Sequence, residues 1–367
     1  MKIAVTGTRG IPNILGGVET HCEELFPRLA GKGFDITIIR RKSYVQDSLS
    51  EYKGVHLLDI PTPRKKAFEA IIHTLKAIHT AKFKLKADLV HIHAIGPALA
   101  IPYAKLLGLK VIITHHGPDY DRAKWGKAAQ WMLRLGECMG VRFADGVIVI
   151  SETIHQIVKT RYGRTDARLI HNGVSQPVFV SDNDYLHSLG IEAQKYIFAM
   201  GRFVPEKNFH QLVRAFASLN EKKGYRLVLA GDADFEDDYS VALKRLAGEN
   251  NVVLTGFVKG HKLQTLLSQA AAFVLPSSHE GLPISLLEAM SYHLPVLASD
   301  IPANLEVGLP PENYFPVNDT TVLAEKLNNA LSIGKQDVFY NMEVYDWDKI
   351  AEQTAAVYND TLAVCLF

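Results

Sequence analysis

Cysteine is scarce in this 367-residue chain: three residues, Cys22, Cys138 and Cys365, scattered and odd in number. They make neither a disulfide framework nor a zinc-ligand spacing, which fits a reducing compartment such as the cytosol. Net charge is scarce too: 40 Lys and Arg stand against 39 Asp and Glu, a formal +1. No global field therefore favours nucleic acid. Long apolar runs are missing. The most apolar stretch, "LVHIHAIGPALAIP", is short and carries two histidines, whereas a spanning helix needs roughly 20 apolar residues. The opening "MKIAVTG" reads as a first strand and is too short for a secretory signal. Low-complexity segments are absent. So is a D-x-D pair at a strand end; Asp232 and Asp234 in "GDADFEDD" read as part of a loop.

What is present is repetition of one pattern. Short apolar strands alternate with helix-length amphipathic segments: "KIAVTG", "FDITIIR", "ADLVHIH", "LKVIITHH", "DGVIVIS". The pattern restarts with "YIFAMG", "RLVLAG", "NVVLTG", "AAFVLP" and "LPVLAS". Runs this apolar suit parallel strands buried on both faces. At 47% hydrophobic and 22% charged residues, the chain is long enough for two cores. The expectation is an α/β protein of two doubly wound, Rossmann-like domains, 1–177 and 178–349, with a closing helix 350–367 packing back on the first. The boundary is placed near "HNGVSQPVFVSDND", where strand signals stop and Pro, Asn, Ser and Asp gather. Ligands of such sheets bind outside the carboxyl ends of the strands.

A dinucleotide-cofactor reading of "AVTGTRGIPNILGG" meets an obstacle. Counting from Gly7 and Gly10, the third-glycine region of the fingerprint holds Pro12 and Asn13. No acid ends the second strand to take a ribose; Arg40 and Arg41 stand there, which leaves an NADP-type site as an alternative. Gly16 and Gly17 come late in the loop, directly before a helix. Glycines there let backbone N–H groups approach an anion at a helix N-terminus.

In the second half, "GRFVPEKN" places Arg202 and Lys207 just past a strand, where a fork and a point charge can grip phosphates. "PSSHEGLPISLLEAM" follows another strand. Pro283 suits a first helical position, and the turn around Ser285 offers N–H donors to a phosphate. Glu280 stands before that helix and Glu288 inside it, among apolar neighbours that imply a largely buried helix. A carboxylate there needs a partner, and a sugar or ribose hydroxyl would serve.

These residues carry a resemblance. Arg202 and Lys207 with the E-x7-E pair Glu280 and Glu288 look like the nucleotide-sugar site of retaining glycosyltransferases of family 4, with the GT-B fold. The likeness extends to "GGVE", "ITHHG", "HNGV" and the closing helix with "YDW", nearly the whole chain. "GTRGIPNILGGVETHCEEL" and "HHGPDYDRAKWG" further resemble a rhamnosyltransferase-like bacterial subgroup that builds surface polysaccharides. The resemblance implies two Rossmann-like domains facing across a cleft. It implies transfer of a sugar from a nucleotide-diphosphate donor, the donor being substrate and no cofactor being needed, to a glycan or lipid-linked acceptor. Arg202 and Lys207 would neutralise the diphosphate in place of a metal. Glu288 would bind the ribose, and Glu280, with the backbone of Gly281 and Leu282, the sugar. Gly16 and Gly17 would line the phosphate or acceptor side. His116, of the family's T-x-H pattern, would contact the donor sugar near the reacting carbon, with neighbouring His115 competing for that role. His91 and His93 read as structural, with acceptor contact open. An epimerase of the same fold is an alternative that the N-terminal loop argues against.

Arg64 to Lys86 holds seven basic residues and one acid, Glu69, at roughly helical apolar spacing. This is either a basic amphipathic helix on anionic lipid or a core-facing helix with a solvated basic face. The expected location is the cytoplasm, with peripheral contact at the inner face of the cell membrane.

Overall fold

The computed structural model describes residues 1–62, 69–122, 125–222 and 224–363. Cys365 and the basic residues Arg64, Lys65 and Lys66 lie outside them. The chain divides into two compact units, one of Met1–Gly173 together with the segment from Val344, the other of Val174–Glu343.

The first unit is built on eight strands: β1 (Lys2–Thr6), β2 (Asp35–Arg41), β3 (Glu51–Tyr52), β4 (Val55–Ile60), β5 (Leu89–His93), β6 (Lys110–His115), β7 (Gly146–Val149) and β8 (Arg168–Leu169). Their order is β3-β4-β2-β1-β5-β6-β7-β8. All neighbours are parallel except β3 and β4. Strand order reverses between β1 and β5, the place where a doubly wound sheet leaves a crevice at its carboxyl edge. The strands are buried nearly throughout because helices cover the sheet. The closing helix, Trp347–Ala363, belongs to this unit and packs on the helix Gly17–Gly31. Trp347, Ile350, Ala351 and Tyr358 are buried there, in one core with Ile3, Phe26 and Ile112.

The second unit has six parallel strands: β9 (Tyr196–Met200), β10 (Arg226–Ala230), β11 (Val253–Leu254), β12 (Ala272–Leu275), β13 (Val296–Ser299) and β14 (Tyr314–Phe315). They run β11-β10-β9-β12-β13-β14, so order reverses between β9 and β12. One face is covered by the helices Phe209–Ala217 and Thr320–Ile333, whose Phe209, Leu212, Leu323 and Leu327 pack on Ile197, Leu227 and Val274.

The two doubly wound units expected from the repeating pattern are present. The β3–β4 hairpin is an addition, turned by Lys53 and Gly54, both at positive φ (47° and 81°), as a tight hairpin requires. The segment expected to be a basic helix forms the helix Glu69–Thr80, with Glu69, His73, Thr74, Ala77 and Ile78 buried. Lys76 is its one cation; Lys82 and Lys84 sit on the following turn, Ala81–Leu85, around an exposed Phe83. Among the described residues no helix is long and apolar enough to cross a membrane.

The second unit's binding edge depends on one close backbone approach. Gly231, at φ +135°, lies so near Gly201 that a Cβ on it would stand 1.9 Å from the Gly201 carbonyl oxygen. Gly231→Ala is expected to cost at least about 1–3 kcal/mol from backbone strain alone. Chemical unfolding measures it, and an unchanged midpoint would contradict the packing described.

Candidate active site

Two neighbouring parallel strands create the charged site of the second unit. Phe198 of β9 pairs with Phe273 of β12, so the loops leaving their carboxyl ends run side by side. The backbone N–H of Ser278 donates to the Glu206 carbonyl at 2.8 Å, lacing one loop to the other. The Ser277 carbonyl accepts from Ser299 Oγ, and Asn304 Nδ2 in turn donates to Ser299 Oγ at 3.0 Å. Within this frame Lys207, on the turn Pro205–Lys207, donates from Nζ to Glu280 Oε1 at 2.5 Å. Both side chains are mostly buried, 16% and 13% exposed, so each supplies the counter-charge that the other needs.

On the other side of β9, the loop after β10 reaches over. Asp234 Oδ2 accepts from Arg202 Nη1 at 3.2 Å, and Lys244 Nζ lies 2.9 Å from Asp232 Oδ1. The sequence reading took "GDADFEDD" as a loop after the strand "RLVLAG" and gave its acids no part in a site. The loop does begin directly after β10, and Asp232 and Asp234 stand at the carboxyl edge, engaged by cations.

The helix Ile284–Ser291 starts one residue later than expected, with Pro283 as the residue before it. Its first-turn N–H groups have no preceding carbonyls within the helix. Leu282, Leu286, Leu287, Ala289 and Met290 are buried, while Gly281 and Glu288 are half-buried. Burial, with the Glu288 charge nearby, holds the Tyr292 hydroxyl above its ordinary pKa. The structure thus gathers Arg202, Lys207 and Glu280 at one edge, with Gly281 and Leu282 leading into the helix that carries Glu288. The sequence reading gave Lys207 and Glu280 separate tasks; here they hold each other.

In the first unit, Gly16 and Gly17 open the helix Gly17–Gly31. Gly16 has φ +152°, and a Cβ there would fall 2.1 Å from Glu19 Oε2. Glu19 is buried and accepts from Thr8 Oγ1 at 3.2 Å and the Arg9 N–H at 3.0 Å. At Gly17 a Cβ would meet nothing within 4 Å.

Five histidines crowd the carboxyl ends of β5 and β6 and the face of that helix. His91 is saturated, with Tyr358 Oη and Thr114 Oγ1 each 2.7 Å from its two nitrogens. His115 is saturated as well: Nε2 lies 2.8 Å from Glu137 Oε1, and Nδ1 accepts the Gly117 N–H at 3.1 Å. Both ring nitrogens of His115 are therefore engaged. His115 is internal, and His116 is partly exposed, with Nε2 2.9 Å from His93 Nδ1. His21 completes the group, its ring edge-on to His116 at 5.0 Å and its Nδ1–H donating to Asn172 Oδ1 at 3.0 Å. Burial lowers His21 to about 4 and His91 to about 3. Burial first, then the neighbouring histidines, keep His93 and His116 well below the ordinary value.

Two family models match. "Glycosyltransferase Family 4" covers residues 15–176 and "Glycosyl transferases group 1" covers 183–341. The chain is a family 4 glycosyltransferase of the GT-B fold. An uncharacterized glycosyltransferase of Methanocaldococcus jannaschii is 26% identical over 98% of each chain. The Escherichia coli UDP-Gal:alpha-D-GlcNAc-diphosphoundecaprenol alpha-1,3-galactosyltransferase is 26% identical over 83% of this chain and 81% of its own. Among solved structures, Anabaena HepE in complex with UDP-glucose superposes with a TM-score of 0.77 at 18% identity, covering 98% of this chain and 100% of that one.

Both models describe glycosyltransferases, which sets the epimerase and NADP readings aside. The structure gives a physical reason against the second. Arg40 is buried, its guanidinium held by Asp59 at 2.7 Å, Asp47 at 2.9 Å and the Ile11 carbonyl at 3.0 Å. It pins the N-terminal loop of the glycosyltransferase and offers nothing to a ribose phosphate.

Sequence reasoning missed His21, Asn172 and Asp234 as members of these clusters. His21 carried a signal, a histidine on the inward face of an amphipathic helix. Asn172 stood in "HNGV" without a role. Because His21, His91, His93 and His116 are held neutral when folded and titrate near 6.5 when unfolded, the unfolded chain binds more protons as pH falls below about 6.5. Stability is full above that value and declines as pH drops toward 4 and then 3, by about 1.4 kcal/mol per pH unit for each histidine. Urea midpoints taken across this range should show the decline, and His91→Gln should make it shallower. An equal slope in the variant would contradict the assignment.

Proposed function

We propose that the chain is a retaining, metal-independent glycosyltransferase. It moves a sugar from a nucleoside-diphosphate donor to a glycan or lipid-linked acceptor in the building of surface polysaccharide, as in the rhamnosyltransferase-like subgroup. The observation that carries this reading is the convergence of Arg202, Lys207 and Glu280 where the second sheet reverses strand order, beside a helix N-terminus. Cleaving the bond from sugar to diphosphate leaves negative charge on the departing phosphate. Fixed cations and first-turn N–H groups aimed at that charge lower the barrier. Arg202 and Lys207 supply the charge, and Lys207 exchanges Glu280 for phosphate as the donor enters. Glu280 then turns to the sugar with the backbone of Gly281 and Leu282, and Glu288 takes the ribose hydroxyls. In the first unit His116 contacts the sugar near the reacting carbon, and Gly16 and Gly17 line the phosphate or acceptor side. The donor and acceptor named for the Escherichia coli relative, UDP-Gal and a diphosphoundecaprenol-linked sugar, support the same substrate classes here.

Kinetics separate the two glutamates. Glu288→Gln should weaken nucleoside diphosphate and donor alike by about 10- to 150-fold, the worth of a hydrogen bond to a charged group, raising KM with kcat nearly unchanged. Glu280→Gln should not weaken diphosphate binding, since Lys207 then gives up no carboxylate, and should lower kcat. Equal effects on both quantities from both substitutions would sink this division. The same assay in excess EDTA should retain full turnover, with the product keeping the donor's anomeric configuration. Complete loss that magnesium or manganese restores would refute metal independence, and an inverted product would refute retention.

A lipid-linked acceptor brings the enzyme to the inner face of the membrane. The exposed Phe83 between Lys82, Lys84 and Lys86 suits an anionic surface. Reversal of the three lysines to glutamate should abolish salt-sensitive sedimentation with anionic vesicles; undiminished binding would remove this segment from the account.

A further inference from the structure

Of the five clustered histidines, three have capacity to spare. His91 and His115 have both ring nitrogens engaged. Among the described residues the Nε2 atoms of His21 and His93 are buried with no hydrogen-bond partner, and His116 is the member that reaches the surface. One donor atom from each of His21, His93 and His116 lies within 4.8 Å of the others. We propose that His21, His93 and His116 form a binding site for a borderline divalent metal of the zinc class.

Three observations give the site its chemistry. First, Asn172 Oδ1 can only accept from His21 Nδ1, at 3.0 Å, so the proton of the neutral ring is on Nδ1 and the lone pair is on Nε2. An oxygen that holds the outer N–H of a histidine is the usual arrangement behind a metal-ligating imidazole. Second, His93 Nε2 is buried with no hydrogen-bond partner among the described residues, so it can take a metal without giving up a bond. Third, three imidazoles match zinc, copper or nickel rather than magnesium or calcium, which take oxygen ligands. With zinc–nitrogen bonds of about 2.0–2.1 Å, ligand nitrogens of a tetrahedral site stand roughly 3.4 Å apart, so modest ring rotation closes the group. The proton shared between His93 Nδ1 and His116 Nε2, 2.9 Å apart, moves to a nitrogen facing away from the metal; nothing is oxidised or reduced. Three protein ligands leave a fourth position open.

The metal site stands on the histidine geometry alone. Its consequence for turnover rests on the proposed contact of His116 with the donor sugar: a bound metal ties up that ring, so zinc inhibits transfer.

The test uses tag-free full-length protein stripped of metal. Titration calorimetry with zinc should show one equivalent bound, and cobalt should produce the visible absorption of a tetrahedral nitrogen site. Magnesium should produce no binding. Asn172→Ala should weaken zinc by about 10- to 100-fold, the usual effect of removing an outer-shell partner. His21→Gln should weaken it further, and His56→Ala, a change at an exposed histidine outside the cluster, should leave it unchanged. Zinc binding that His21→Gln does not alter, or absence of the cobalt bands in the unsubstituted protein, overturns the proposal whatever the variants' stability. Inhibition by zinc is read separately. Stoichiometric zinc without inhibition keeps the metal site and overturns the role given to His116.

Discussion

The backbone N–H of Ser278 donates to the carbonyl of Glu206, and the charged side chains of the second unit take their places from that bond. It ties the loop after β12 to the loop after β9, which brings Glu280 within reach of Lys207. It forms because β9 and β12 are parallel neighbours, so both chains leave the sheet at the same edge. The remaining neighbour of β9 sends its own loop to the same edge and delivers Asp234 to Arg202. Gly231 is a glycine because its turn passes too close to the Gly201 carbonyl for a side chain. Three strands and two tight turns thus suffice to collect two cations and their counter-charges, with little burial energy spent on charge because each is paired.

The first unit solves a different problem with the same sheet edge. Besides its buried ion pairs it gathers a cluster of histidines. They stack and meet edge-on, His91 on His93 at 4.3 Å and His93 on His116 at 5.2 Å, under Trp347, whose ring meets His21 at 5.5 Å. A set of imidazoles is tolerated in this core because burial suppresses protonation; the same set charged would repel itself. Tyr358 and Trp347 come from the closing helix, so the far end of the chain completes the histidine cluster as well as the hydrophobic core. Gly173 of "HNGV" leaves room for this, since a Cβ there would stand 2.5 Å from the Trp347 ring.

Much of this was readable from the residues. Short, near-continuous apolar runs announced the central strands of both sheets, because a strand buried on both faces has few polar positions to disguise it. The edge strands were harder. β3, β8 and β14 are two residues each, too short for a period, and β4 has an exposed His56 among its buried positions. The candidate site was legible as single motifs, since Arg202 with Lys207 and Glu280 with Glu288 each keep a fixed spacing. What no spacing conveys is pairing across strands. The bonds Lys207–Glu280, Arg202–Asp234 and His21–Asn172 join residues 73, 32 and 151 positions apart, and only the strand order decides them. The bond of His115 to Glu137, 22 positions away, is likewise invisible to spacing.

The claim on which the rest turns is that the second unit's edge holds a nucleoside diphosphate through Arg202 and Lys207. The direct measurement is titration calorimetry of UDP, GDP, dTDP and ADP with the unsubstituted protein and with Arg202→Ala and Lys207→Ala. The account requires that at least one nucleotide binds, and that each substitution weakens it by about 10-fold or more, the worth of a charged hydrogen bond of roughly 1.5–3 kcal/mol. Failure of all four to bind, or equal affinity in the three proteins, would contradict it.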